Sequence, residues 1–234
     1  MKSPLTTPGP VSFKVARLER ETLHDRAYLE VKKAIMSGAI MPGSTITIRA
    51  MAAALGTSPM PVREALRRLV AERALEMLPT RSVSLPVMTA EKFEEVSRIR
   101  IALEGLVAET AAARITDASI RHMRQINDEM LLPRVQRSPA YLAKNQEFHF
   151  TLYQAAGMPV AMSIIESLWL QSGPLLNHVL SDLGFRAAND HHGAMLAALA
   201  KGSGKAARAA VEADIADAAA VIVQLLRRKA RAAG

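Results

Sequence analysis

The residues of this 234-residue chain best equipped for chemistry are arginines carried on one short amphipathic segment. In Ser58-Pro59-Met60-Pro61-Val62-Arg63-Glu64-Ala65-Leu66-Arg67-Arg68-Leu69, helical spacing puts Val62, Ala65, Leu66 and Leu69 on one face. Met60, Arg63, Arg67 and Arg68 fall on the others. The first set suits a core. The second places guanidinium groups where a helix laid in the major groove meets phosphates and base edges, and Arg is shaped to grip guanine bidentately. Alone, an Arg-bearing amphipathic helix is more often solvated surface, so its meaning depends on the elements that position it.

Those elements form a recognisable sequence. From Leu23 to Ser37 the apolar residues Ala27, Val31, Ala34 and Ile35 recur at helical spacing, and Gly38 is a stop signal. Thr47 caps a predicted helix over Ile48–Leu55 that Gly56 ends; Ser58 caps another over Pro59–Arg73, with Pro59 where its missing N–H costs nothing. Two helices joined by the tight Gly56-Thr57 turn make a helix-turn-helix. Leu75–Leu78, the turn Pro79–Ser82 and Val83–Leu85 then read as a two-stranded wing. Arg49, at the start of the second helix, and Arg81, at the wing tip, extend the basic surface on both sides. The expected domain spans residues 21–88, behind an arm of residues 1–20 whose three prolines and weak periodicity predict mobility.

Composition agrees. Residues 1–90 hold 13 Lys and Arg against 7 Asp and Glu, whereas residues 91–234 hold 17 against 15, so most of the +8 charge sits in the first two fifths. Such a skew fits a surface that faces a polyanion. The absence of Cys excludes a disulfide framework, a thiolate metal site and a Cys nucleophile. With no apolar run near the roughly 18 residues a membrane span needs and no signal-like N-terminus, a soluble, cytoplasmic protein without membrane association is expected. Abundant Ala and Leu and only 4% aromatic residues predict a mainly α fold. Residues 89–234 read as six or seven helices in an all-α bundle. Its punctuation falls at Thr116-Asp117, Leu132-Pro133 to Pro139, Gly157-Met158-Pro159, Gly173-Pro174, Gly184 and Gly202-Ser203-Gly204.

Two stretches carry a family resemblance. Ile35-x-x-Gly38-x-x-x-Pro42-Gly43 and the run Leu55–Leu69 resemble the DNA-binding winged helix-turn-helix of the GntR family of transcriptional regulators. The resemblance implies DNA contacts from Arg49, from Ser58, Met60, Pro61 and Arg63 at the start of the recognition helix with Arg67 behind them, and from Arg81. Three positions depart from the family pattern: Pro59 replaces a frequent Arg, Arg73 a Gly before the wing, and Ser82 a wing-tip Gly.

Residues 92–226 resemble the helical FCD ligand-binding domain of the FadR-type branch, through Arg100-x-x-Leu103-Glu104, Asn145-x-x-Phe148-His149, His192, Ala198, Ala207 and Asp214. Metal-binding members use an Asp four residues before a His and two later His; the matching positions here are Asn145, His149, His192 and Asp214. A spacing of four puts Asn145 and His149 on one helix face. If Gly202-Ser203-Gly204 turns an antiparallel hairpin, His192 and Asp214, each eleven residues from Ser203, stand level roughly 16 Å below it. Such a set suits divalent Zn, Mn, Fe or Ni with positions left open. A His–Asp hydrogen bond or ion pair is the alternative.

The resemblance also implies that Arg100 holds a ligand carboxylate, on a helix whose Ile99, Leu103, Leu106 and Val107 are expected to face inward; a structural salt bridge is its alternative. His178 and His191 read as ordinary hydrogen-bonding residues. The expected whole is a homodimeric, ligand-responsive repressor on a pseudo-palindromic double-stranded operator, sensing a small carboxylate effector. Two other classes are a non-specific nucleic-acid-binding protein and, for a His/His/Asp site able to activate water, a metal-dependent enzyme. No general base is identifiable for the latter.

Overall fold

Burying the Val62 face of the arginine helix requires a partner, and the first helix supplies it. In the computed structural model, which describes residues 22–233 apart from 37–38, 41, 81, 137, 139 and 184–186, α1 (Leu23–Met36) packs on α3 (Pro59–Ala71). Side chains are described except at 136, 174, 176–183, 187–190 and 233. The 1–20 arm, Gly38, Arg81, Gly184 and the His178 side chain therefore lie outside the described residues. Ala27, Tyr28, Val31 and Ile35 of α1 join Val62, Ala65, Leu66 and Leu69 in one core. The short α2 (Ile48–Ala54) is capped by Thr47, whose Oγ1 accepts from the Ala50 N–H at 3.1 Å. Gly56 makes the turn into α3 with φ +62°, a conformation that glycine adopts without Cβ strain.

The wing differs from the two strands read in the sequence. β2 (Glu76–Met77) and β3 (Val83–Ser84) do form the hairpin, but β1 (Thr45–Ile46) pairs antiparallel on the other side of β3, giving the order β1-β3-β2. Ile46 sits opposite Val83 and both are buried, so β1 covers a backbone edge that would otherwise be unpaired. Two residues carry no period, which is why β1 was illegible. α3 also stops at Ala71, earlier than Arg73: Glu72 is its C-cap and Arg73 turns left-handed at φ 59°. Arg73 thus occupies, at a steric cost, the conformation a Gly would hold freely.

The second unit contains α4 (Ala90–Ala111), α5 (Asp117–Met130), the short α6 (Pro133–Gln136), α7 (Ala140–Ala155), α8 (Pro159–Leu183), α9 (Ala187–Ala200) and α10 (Gly204–Ala233). Thr89 and Thr116 cap α4 and α5, accepting from Lys92 and Ser119 N–H groups. α10 lies along α4, and two glycines permit the approach: a methyl group would come within 2.8 Å of Glu212 Oε1 at Gly105 and within 2.8 Å of the Glu109 carbonyl at Gly204. Two expectations change. Gly173-Pro174 does not break the chain but lies inside α8, held by Leu170 in the first core on one side and Leu175 in the second core on the other. On α4 the inward face is Phe93, Val96, Arg100, Glu104, Val107 and Ala111, whereas Ile99 and Leu106 are each 45% exposed. The helix thus carries apolar residues on an exposed face as well, while its inner face holds a buried ion pair between Arg100 and Glu104.

α8 ties the units together. Glu166 pairs with Lys32 of α1 at 2.6 Å, the Ser167 hydroxyl donates to the Glu72 carbonyl at the end of α3 at 2.6 Å, and Leu170 is buried in the first core. Among the described residues, no helix is long and apolar enough to cross a membrane.

Candidate functional site

The α9–α10 hairpin turns at Gly202-Ser203-Gly204, with Gly202 left-handed at φ 63°. Equal distance from that turn brings His192 and Asp214 to one level, and α7 delivers His149 between them. His149 Nε2 lies 3.3 Å from His192 Nε2 and 3.3 Å from Asp214 Oδ2, and one ligand atom from each residue falls within 4.8 Å of the others. Both imidazoles are fully enclosed. Asn145 stands half-buried one turn before His149 on α7.

Partners behind the imidazoles set their tautomers. The Tyr153 hydroxyl donates to Glu104 Oε2 at 2.7 Å, so its oxygen accepts from His149 Nδ1 at 3.1 Å. His192 Nδ1 faces the Asn127 carbonyl oxygen at 3.2 Å and donates to it. Both rings therefore keep the lone pair on Nε2, and the two lone pairs point at each other with a carboxylate oxygen beside them. Such an arrangement needs a cation between the three atoms: an extra proton on one ring, or a metal ion. Bonds of about 2.0–2.1 Å in a tetrahedral site would set neighbouring donor atoms about 3.3 Å apart, which matches the two separations seen here. The donor set therefore fits a divalent transition metal.

Electrostatics favour the same state. Burial, followed by the neighbouring His149, pushes His192 down to about 3, which keeps its ring neutral and able to ligate. In the alternative with an extra proton on His149, burial raises the Asp214 carboxyl, but the hydrogen bond and charge of that ring outweigh this and hold it below the usual carboxylate range. Phe148 stacks on His192 at 4.1 Å between ring centres and helps close the site from water.

Arg100 lies on the buried face of α4, but its guanidinium is already taken. Its Nε donates to Glu104 Oε1 at 2.6 Å and Nη2 to Glu104 Oε2 at 3.3 Å, with the Trp169 ring 4.7 Å away. Burial opposes its charge, yet Glu104 more than compensates and raises its pKa. Glu104 also accepts from Trp169 Nε1 at 3.1 Å, so a hydrogen-bonded path runs from His149 through Tyr153 and Glu104 to α8. Sequence reasoning left Asn127, Tyr153 and Trp169 out. Tyr153 had a signal, standing four residues after His149; Asn127 had none. His191 binds Asp217 at 2.8 Å, in keeping with its expected ordinary role.

At the other end, Arg49 and Arg63 are exposed, and no ion pair to either is found among the described residues. Arg67 pairs with Glu64 at 2.9 Å, an exposed pair that gives way cheaply. With Arg63, Ile48, Leu66, Met77 and Val83 it lines a cleft between α3 and the wing. Arg68 turns away from that cleft to Glu72 at 3.1 Å and the Tyr28 ring at 3.7 Å. Met60 is exposed at the tip of α3, whereas Pro61 is buried and shapes the helix from inside. Ser58 occupies the N-cap without a capping hydrogen bond, because Pro59 and Pro61 leave Met60 as the sole N–H of the first three helical residues.

Residues 23–84 match the family of bacterial regulatory proteins designated gntR, and residues 95–217 match the FCD domain. The chain is 26% identical over 163 residues to the HTH-type transcriptional regulator McbR of Escherichia coli K12, spanning 69% of this chain and 74% of that protein. It is 24% identical over 149 residues to the HTH-type transcriptional repressor RspR of the same strain, spanning 63% and 65%. The solved structure of E. coli McbR/YncC superposes with a TM-score of 0.82 over 88% of this chain and 99% of that one, at 24% identity, a likeness of fold. With the helix-turn-helix, the wing and the helical bundle all matched in order, the chain belongs to the GntR family of bacterial transcriptional regulators, with an FCD domain as its C-terminal half.

Proposed function

We propose that this regulator is a metal-loaded, ligand-responsive repressor that acts as a homodimer on a pseudo-palindromic operator in the cytoplasm. The observation that carries the reading is the convergence of His149 Nε2, His192 Nε2 and Asp214 Oδ2, joined through Tyr153, Glu104 and Trp169 to the helix that caps α3. His149, His192 and Asp214 hold Zn²⁺, Mn²⁺, Fe²⁺ or Ni²⁺, with Asn145 as a neighbouring oxygen donor. The bound metal supplies open coordination positions for the carboxylate of a small organic acid. Arg100 reaches that acid only by exchanging Glu104 for it. As a member of a regulator family, the protein is not an enzyme.

Ligand acts only by favouring one placement of the two units over the other, typically by about 1–3 kcal/mol of coupling. α8 is suited to carry that difference, since Trp169 faces the site while Ser167 and Leu170 engage the DNA-binding unit. Arg49, Arg63 and Arg67, with Ser58, Met60 and the wing residue Arg81, contact the operator, and Pro61 sets the rigid start of the reading helix. The exposed apolar stripe of Ile99 and Leu106 on α4 is the face offered to the second copy. The repressor sense follows the similar RspR, itself called a repressor.

Metal analysis of protein purified without chelator tests the centre. About one equivalent of a divalent transition metal per chain is expected, lost in the His149→Ala/His192→Ala double variant. A metal-free wild type whose stability and ligand response are untouched by that variant refutes it. Equal binding to random DNA and to the region beside its own gene, across physiological salt, would refute the operator reading in favour of non-specific binding.

A further inference from the structure

The tip of α3 is built with little polar matter. Pro59 and Pro61 have no N–H, so the first turn lacks the cluster of backbone donors with which a helix start holds a phosphate. Pro61 and Val62 are buried, and between Ser58 and Arg63 the outward side chains are Pro59 and the longer Met60, the latter 59% exposed. Three residues further on the adjoining surface stands Arg63, exposed and with no ion pair found among the described residues. A large apolar side chain is thus fixed by two prolines at the point where a helix inserted in the major groove comes nearest the bases.

We infer that Met60 is a specificity-determining residue that reads the C5-methyl group of a thymine beside the base contacted by Arg63. This rests on the placement of α3 in the major groove proposed above. The major-groove edges of guanine, cytosine and adenine present donors and acceptors that a thioether chain cannot satisfy, while thymine presents a methyl group that an apolar side chain can cover. Covering a polar edge with Met60 would strip it of water without replacing its hydrogen bonds, which penalises the other bases. The rigid Pro-Met-Pro start lowers the entropy lost when Met60 is placed.

The test begins with duplexes selected from a random pool by the full chain. Each thymine of the selected site is replaced singly by deoxyuridine, which removes only the methyl group, and binding is measured for wild type, Met60→Ala and Arg63→Ala. At one thymine per half-site, deoxyuridine is expected to weaken wild type about four-fold, the worth of one buried methyl at about 0.8 kcal/mol, and to leave Met60→Ala unaffected. Met60→Gln is expected to select adenine at that position, through its bidentate amide. Deoxyuridine effects that are absent, or equal in wild type and Met60→Ala, overturn the assignment while leaving the groove placement standing. Failure to select any site, or an Arg63→Ala variant with undiminished selectivity, overturns the groove placement and this assignment with it.

Discussion

Replacing Glu104 by Gln removes one charge from the centre of the effector domain and changes almost nothing in shape. Glu104 has no exposed surface and accepts from Arg100 Nε at 2.6 Å, Arg100 Nη2 at 3.3 Å, Tyr153 Oη at 2.7 Å and Trp169 Nε1 at 3.1 Å. Every group around the carboxylate is a donor. A Gln amide therefore sets an NH₂ against at least one of them and leaves the guanidinium, 6% exposed, without a counter-charge. Breaking a buried pair from one side costs about 3–5 kcal/mol, a large share of the roughly 5–15 kcal/mol that holds a domain folded. At an m value of about 2 kcal/mol/M, the urea midpoint is expected to fall by roughly 2 M. Trp169 is the single tryptophan and touches the altered carboxyl, so its fluorescence follows unfolding of this region directly. Adding Arg100→Met to Glu104→Gln removes the orphaned cation and lets the Gln oxygen serve Tyr153 and Trp169, so the double variant is expected to be more stable than the single one. A single variant within about 1 kcal/mol of wild type, or a double variant below the single one, would refute the reasoning.

Tyr153→Phe removes the acceptor that holds the His149 proton on Nδ1, and is expected to weaken Zn²⁺ binding about 10- to 100-fold in calorimetric titration. Unchanged affinity would mean that Tyr153 does not set the tautomer. Arg73→Gly relieves a left-handed conformation at φ 59° and is expected to stabilise the DNA-binding domain by about 0.5–1 kcal/mol in denaturant unfolding; destabilisation would contradict a steric origin. Gly204→Ala is expected to cost about 1–3 kcal/mol, more than Gly105→Ala, because the new methyl meets the Glu109 backbone carbonyl in one case and the movable Glu212 side chain in the other. The reverse order in thermal unfolding would show that the α4–α10 contact yields elsewhere.

What could be read without coordinates was whatever repeats along the chain or matches it locally. The helical period exposed the Val62, Ala65, Leu66 and Leu69 face, the Gly56-Thr57 turn announced the helix-turn-helix, and the equal spacing of His192 and Asp214 about Ser203 anticipated their meeting. Reading failed where a local signal was overruled by distant packing. Gly173-Pro174 should end a helix at a cost of about 3 kcal/mol, yet α8 runs through it because both flanks are anchored in separate cores. β1 is too short to show a period and exists only because β3 offers it an edge.

The sequence by itself determined the helix-turn-helix and its hairpin, the two-domain plan and the residue types of both sites, since these depend on periodicity, turn chemistry and composition. Only the tertiary structure decided which groups are free to act. It gave Arg100 to Glu104, turned Arg68 onto Tyr28, left Arg49 and Arg63 exposed, and enlisted Asn127 and Tyr153 behind the two imidazoles. A side chain's availability depends on what the fold brings within about 3 Å of it: some of those neighbours stand one helical turn away, as Glu104 does from Arg100, while Asn127 comes to His192 from 65 positions away in the chain.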